Sequence, residues 1–189
     1  DNRERFLMKI LNNVERLNLL IEDLLTLSRL ESGPHKLKRS RHHLPDLVRD
    51  LLENFESRLE PGKQRFEFQA DPEIDYVHID GVRICQTLDN LIDNAFRYAG
   101  SFNKISVQLK RAENADFIEC SVSDDGVGIP EKDLPHIFER FYRVDKGRSR
   151  ERGGTGLGLS IVKHIILLHG GSIWAESQLG QGTTITFSL

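Results

Sequence analysis

Two cysteines, one methionine and one tryptophan in 189 residues, and no apolar run near the ~18 residues of a membrane span, set the first limits on this chain. Cys85 and Cys120 are far apart and lack a CxxC or Cys/His pattern, so neither a cysteine metal site nor a disulfide framework is expected, only two buried thiols. An excess of one charge is missing too. Lys plus Arg number 26 and Asp plus Glu 29, for a formal charge of −3 and a pI near 6.2. No global positive field exists to attract nucleic acid or an anionic membrane, and a phosphate ligand has to be held locally. No charged start with an apolar core and small-residue cleavage site marks a secretory leader. The expectation is a cytoplasmic chain without direct membrane contact. Position 1 is Asp rather than Met and a helical pattern is running by Phe6, which suggests a piece of a longer protein.

Apolar residues at Leu7, Ile10, Val14, Leu17, Ile21 and Leu24 alternate spacings of three and four, the ~3.5-residue seam of a coiled coil or helix bundle. Leu20, Leu27 and Leu30 widen it, and one helix cannot bury it alone. The pattern stops at Glu31-Ser32-Gly33-Pro34, where glycine and then proline end a helix. The sequence therefore divides into a bundle helix over 1–33, a linker over 34–43 and a larger domain over 44–189. Lys36, Lys38, Arg39, Arg41 and three histidines make the linker either a solvated basic connector with a short extended piece or a nucleic-acid patch. Helical spacing returns at Leu47, Val48, Leu51, Leu52, Phe55 and Leu59, at Ile84, Leu88, Leu91, Ile92 and Ala95, and over 156–169. Strands are expected over 65–70, 76–79, 105–109, 117–122, 172–176 and 183–187, with 105–109 and 117–122 an antiparallel pair. Hairpins with interspersed helices indicate an α+β fold whose helices cover one sheet face.

Chemistry concentrates in the glycine- and amide-rich segments. On the helix through Leu88-Asp89-Asn90-Leu91-Ile92-Asp93-Asn94-Ala95-Phe96-Arg97-Tyr98, helical spacing puts Asn90, Asn94 and Arg97 on one stripe opposite the apolar positions. Amide oxygens suit a Mg²⁺ whose charge is balanced by phosphates, and a solvated face would look the same. Val122-Ser123-Asp124-Asp125-Gly126-Val127-Gly128-Ile129-Pro130 leaves a strand with a carboxylate ahead of two glycines, either a turn or a ligand loop able to accept from an amino group. Gly153-Gly154-Thr155-Gly156-Leu157-Gly158-Leu159 runs into an apolar helix, and its amides at a positive helix end can bind an anion. It is neither a dinucleotide fingerprint nor a P-loop, since a polar loop precedes it and no GK[ST] follows. Residues 143–152 hold five basic and two acidic residues, a local +3 beside that turn.

In order, these segments resemble the N, G1, F, G2 and G3 boxes of the sensor histidine kinases of two-component signalling, within the ATPase superfamily of DNA gyrase and MutL. Ile137-Phe138-Glu139-Arg140-Phe141-Tyr142-Arg143-Val144-Asp145, followed by Arg148-Ser149-Arg150, resembles the membrane-linked, phosphate- and envelope-sensing subclass in particular. The resemblance implies the Bergerat fold, a two-layer α/β sandwich with a mixed five-stranded sheet and three main helices on one face. ATP would lie between the helix of Asn94 and a mobile lid over 143–155. Asn94 would ligate Mg²⁺ with Asn90 close by. Arg97, where the family has Lys, would contact phosphate, and Tyr98 would pack near the adenine. Asp124 would accept from the adenine amino group, with Gly126 and Gly128 along base and sugar and Thr183 behind the base. Arg143 and the amides around Gly154, Gly156, Leu157 and Gly158 would meet the phosphates.

The same resemblance makes the first helix the second helix of a dimerisation and histidine-phosphotransfer bundle. It implies a homodimer, a response-regulator receiver domain as partner, and a parent anchored in the cell membrane. The family's phosphoacceptor is a His followed by an acidic residue and soon by Pro, and none of His35, His42, His43, His78, His136, His164 and His169 has that context. The acceptor is expected upstream of Asp1, so the chain would hold no catalytic residue of its own and would not autophosphorylate. The implied function is to position Mg-ATP for γ-phosphoryl transfer to that histidine and thence to an aspartate of the response regulator. Two alternatives stand beside it: a nucleotide-dependent switch controlling dephosphorylation of the regulator, and a gyrase- or MutL-like ATPase. Those ATPases carry a water-activating Glu where this chain has Asn90, and Asn is no base at neutral pH.

Overall fold

Helix α1 (Asn2–Glu31) opens a computed structural model that describes residues 2–31, 37–112, 117–144 and 154–189. Its regular seam is bare, with Leu7, Ile10, Val14, Leu17, Ile21 and Leu24 all exposed. Leu27 and Leu30, with Leu20 beside them, are instead buried against Leu157, Ile161 and Ile165. The residues that widen the stripe are thus the ones that dock α1 on the rest of the chain. The Arg140 guanidinium pairs with Glu31, and the His164 imidazole meets the Leu30 carbonyl at 3.0 Å. Ser32, Gly33, Pro34, His35 and Lys36, read above as helix end and connector, lie outside the described residues.

Strand β1 (Ser40–His43), the extended end of that connector, leads into α2 (Leu44–Glu56) and β2 (Arg65–Ala70). Strand β3 (Tyr76–Ile79) pairs antiparallel with β1 as a small separate sheet. Helix α3 (Gly81–Tyr98) is capped by Asp80, whose carboxylate accepts from the Arg83 amide at 3.2 Å and from the Lys38 amide at 2.9 Å. After β4 (Lys104–Arg111) and β5 (Ile118–Asp124) come a 3₁₀ turn at Leu134–His136, α4 (Gly158–His169), β6 (Ile173–Gln178) and β7 (Gly182–Ser188). The main sheet runs β2-β4-β5-β7-β6, with β2 and β4 parallel and the other neighbours antiparallel, the mixed five-stranded sheet that the family resemblance implies.

Period-two alternation sorts the two faces of this sheet. Ile105, Val107, Leu109, Cys120, Val122, Ile185 and Phe187 point inward and meet Val48 and Leu52 of α2, Leu88 and Ile92 of α3, and Val162 and Ile166 of α4 in one core. Each such side chain, fully buried, contributes about 1.5–3 kcal/mol. The opposite face is polar, where Ser123 and Thr184 hydroxyls meet at 2.8 Å and the Gln108 amide donates to Gln69. Of the two thiols, Cys120 is buried as expected and burial pushes its pKa up, but Cys85 is only half-buried, because it flanks rather than joins the inward row of α3.

His169 ties α4 to the start of α3. Its Nδ1–H donates to the Ile165 carbonyl at 2.8 Å, and its Nε2 accepts the Asp80 amide at 3.2 Å, an arrangement open only to the neutral ring. Burial pushes the pKa down and nearby Arg39 acts in the same sense, against the Ile165 carbonyl and Asp80. Unfolded, the ring gains its proton as pH falls through the ordinary 6.5, whereas the folded ring resists to lower pH. Stability is therefore full above 6.5 and falls as pH drops below it. Thermal melts between about pH 7 and pH 5 should show the native chain losing midpoint relative to His169→Gln. Parallel curves for the two would refute the assignment.

Candidate functional site

Beyond the end of β5, between α3 and the turn that starts α4, lies a cavity of about 490 Å³, within the range of small-molecule sites. Asn94, Arg97 and Tyr98 of α3 form one wall, Asp124, Gly128 and Thr183 the floor, and Arg143, Gly154, Gly156 and Gly158 line the remainder. Most of the residues singled out from sequence are therefore brought together.

The floor is built without slack. Asp124 is half-buried and its carboxylate accepts from the Gly126 amide at 2.9 Å. Burial pushes its pKa up, opposed by backbone N–H bonds from Gly126 and Thr183, with Asp125 adding to the rise. The segment that follows is stapled to the β6–β7 turn: the Ile129 amide donates to Ser177 Oγ at 2.7 Å, that hydroxyl donates to the Gly182 carbonyl at 2.6 Å, and the Gly180 amide donates to the Val127 carbonyl at 2.9 Å.

The other end is an assembly of several elements. Arg97 bonds through Nε to Asp93. Asp133, buried, accepts from the Tyr142 hydroxyl at 2.6 Å, a bond that is the main reason the phenol pKa is raised, and it fixes the backbone next to Arg143. The Phe141 amide donates to the Gly156 carbonyl at 2.8 Å, joining this segment to the glycine turn. Thr155 Oγ1 accepts from the Leu157 amide at 3.2 Å and donates to Asp23 of α1 at 2.6 Å. The Asp23 pKa is raised chiefly by burial.

Three residues expected at a nucleotide sit outside the cavity wall. Asn90 donates its amide to the Gln86 carbonyl at 2.9 Å and faces Gly158. Gly126 is buried against Ala99, whose carbonyl takes the Val127 amide at 2.8 Å. Leu157 has its side chain in the α1–α4 core and its amide committed to Thr155, and α4 begins at Gly158 rather than near 156 because Gly156, at φ +75°, is outside helical geometry. Tyr98, expected beside the base, sets its hydroxyl against Gly154 of the glycine turn. Gly153 and most of the lid over 143–155, with Asp145, Arg148, Ser149 and Arg150, lie outside the described residues. Sequence reasoning missed Leu19 and Asp23, which line the cavity from α1, and Ser177. It had no signal for them, since each reaches the site through tertiary packing.

A carboxylate and a small apolar floor at one end, with an amide, two guanidinium groups and glycine amides at the other, suit a ligand with a flat donor-bearing ring and a polyanionic tail. That arrangement on this sheet defines a nucleotide-binding ATPase domain, and the chain belongs to the histidine kinase-, DNA gyrase B- and HSP90-like ATPase family, matched over residues 79–189. Within the family, its similarity is to sensor histidine kinases. The chain is 42% identical along its full length to 31% of sensor histidine kinase WalK of Bacillus subtilis. The structure of the Acinetobacter baumannii histidine kinase AdeS superposes with a TM-score of 0.76 at 30% identity, over 98% of this chain and 84% of that one. Histidine kinase ThkA in complex with the response regulator protein TrrA matches with a TM-score of 0.77 at 28% identity, over 100% of this chain and 51% of that one. The chain spans about a third of the length of the curated relatives it matches.

Proposed function

We propose that this chain holds Mg-ATP so that its γ-phosphoryl group can pass to a histidine of a helical bundle, and from there to an aspartate of a response regulator. The observation that carries the reading is the polarity of one cavity, with Asp124 at one end and Asn94, Arg97, Arg143 and Gly154 at the other. Asp124 accepts from the adenine amino group, and Thr183 closes the pocket behind it. Asn94 presents a neutral oxygen of the kind Mg²⁺ takes when phosphates balance its charge, and the metal, when bound, offsets phosphate charge. Arg97, Arg143 and the Gly154–Gly158 amides hold the phosphate chain, so that the chain's contribution is positioning and electrostatics. The bare seam of α1 fits a bundle with a second copy. The parent is proposed to be a membrane-anchored kinase of the phosphate- and envelope-sensing subclass, with this portion in the cytoplasm, on the strength of residues 137–145. Among the described residues no helix is long and apolar enough to cross a membrane. The ThkA–TrrA complex supports a receiver domain as partner.

A second reading, a nucleotide-dependent switch for dephosphorylation of the regulator, is favoured by the Thr155–Asp23 bond, which puts α1 in the cavity wall. A water-activating ATPase is disfavoured, because Asn90 supplies no base.

The test is transfer from γ-labelled ATP. Incubated alone, the chain should remain unlabelled, since none of its histidines is followed by an acidic residue and proximity supplies much of the rate, with effective molarities of ~10⁵ M or more. A helical-bundle substrate bearing a histidine followed by an acidic residue should acquire acid-labile label in its presence. Stoichiometric label on the chain alone, or none on the substrate, overturns the proposal. Base selectivity gives a separate check. Guanine carries a carbonyl oxygen where adenine has its amino group, so Asp124 would face an acceptor, at a cost of about 1–3 kcal/mol, or roughly five- to 150-fold in affinity. Calorimetry showing GTP bound as tightly as ATP would remove Asp124 from the base.

A further inference from the structure

On α3, Asp93 lies one turn before Arg97, and its carboxylate serves two guanidinium groups at once. One oxygen takes the Arg97 Nε–H, and the other takes an N–H of Arg58 at 3.0 Å. Asp93 and Arg97 line the nucleotide cavity, whereas Arg58 lies outside it, just past the end of α2. Arg58 is itself held in place, its guanidinium lying 4.4 Å from the ring centre of Phe96 and 5.1 Å from that of Phe55, two rings stacked with centres 6.1 Å apart.

We propose that Asp93 is a positioning residue for Arg97 and that Arg58 is its counter-ion, the three together presenting the Arg97 charge to the nucleotide phosphates. The proposal rests on the reading of Arg97 as a phosphate contact.

The charge count is the first reason. A carboxylate paired with Arg97 alone would cancel the charge an anion needs, and a phosphate would have to displace it. With Arg58 on its second oxygen, the carboxylate is balanced from outside the cavity, and the three groups together keep one positive charge. Geometry is the second. A bond to Nε at i, i+4 spacing fixes the plane of the guanidinium, so less side-chain freedom is lost when phosphate binds. A lysine has one compact ammonium and no equivalent of Nε, so a bond to Asp93 would engage the same group that must meet the phosphate. Arginine at position 97, where the resemblance has Lys, is thereby matched to its neighbour. Exposed ion pairs add little to stability by themselves. The effect belongs to ligand binding rather than to folding.

The experiment titrates the chain with Mg-ATP and with adenosine, which has the base but no phosphates. Arg97→Ala should weaken Mg-ATP and leave adenosine unchanged. Asp93→Asn and Arg58→Gln should each weaken Mg-ATP about three- to tenfold, again without effect on adenosine, and Asp93→Asn should add nothing in the Arg97→Ala background. Arg58→Lys, which restores the counter-charge, should recover most of the affinity. Thermal melts of each variant confirm the fold. If Arg97→Ala weakens Mg-ATP while Asp93→Asn and Arg58→Gln do not, the relay is wrong although the phosphate contact stands. Equal losses for adenosine would make Asp93 and Arg58 structural, which also overturns it. Unchanged Mg-ATP affinity in Arg97→Ala removes the phosphate contact and the relay with it.

Discussion

Asn94→Ala is expected to weaken Mg²⁺-dependent nucleotide binding strongly in a chain that stays folded. The side chain sits in the cavity wall, half-buried, on the flank of α3 turned away from Leu88 and Ile92, so the core does not depend on it. Alanine is also the better helix former, by up to ~0.7 kcal/mol, so the melting midpoint should hold or rise slightly. The loss falls on the ligand. Interactions with charged groups contribute about 1.5–3 kcal/mol, or roughly ten- to hundredfold in affinity, and the loss should be confined to titrations that contain Mg²⁺. A melt showing an unfolded variant would make Asn94 structural, and unchanged Mg-ATP affinity in a folded one would end its metal role.

Gly182→Ala should have the largest effect on stability. Residue 182 begins β7 with φ +95°, where a side chain is strained, and a Cβ there would overlap the Asp124 carbonyl oxygen and lie 2.9 Å from Asp125 Cα. Both neighbours are backbone of a paired strand and its exit, so they cannot swing away as a flexible side chain would. The expected cost is about 3 kcal/mol or more, lowering the midpoint by roughly 6–12 °C. Gly180→Ala is the control. It has a similar φ of +80° with nothing within 4 Å of a Cβ, so it isolates the conformational cost, about 1–3 kcal/mol, from the steric one. Equal melts for the two would show that the contact with β5 is not what demands glycine.

Where the sequence was informative, a local rule was at work. The apolar spacing of Leu88, Leu91, Ile92 and Ala95 forces Arg97 to the far side of the same helix and Asn94 to its flank, whatever lies around it. Strand β3 begins and ends where its alternation does, at Tyr76 and Ile79. What escaped depends on pairing at a distance. Nothing in the residues of β2 announces that it lies parallel to β4 rather than beside its chain neighbour β3. Gly126 shows how one residue can answer to more than its motif: the close approach of Ala99 demands glycine there by itself. Asp23 is the plainest case, since its partner Thr155 is 132 residues away and an acidic residue on a helix flank looks like any solvated one.

That pairing has a thermodynamic consequence. Because Leu19 and Asp23 belong to the cavity wall while Leu27 and Leu30 belong to the packing of α1 on α4, the placement of the helix and the occupancy of the cavity are tied through one helix. Whatever factor a ligand in the cavity imposes on the equilibrium between docked and undocked α1, a displacement of α1 imposes in return on the affinity for that ligand. A pull or twist on the helix is in that sense an effector, and the ligand works against it or with it by an equal amount of free energy.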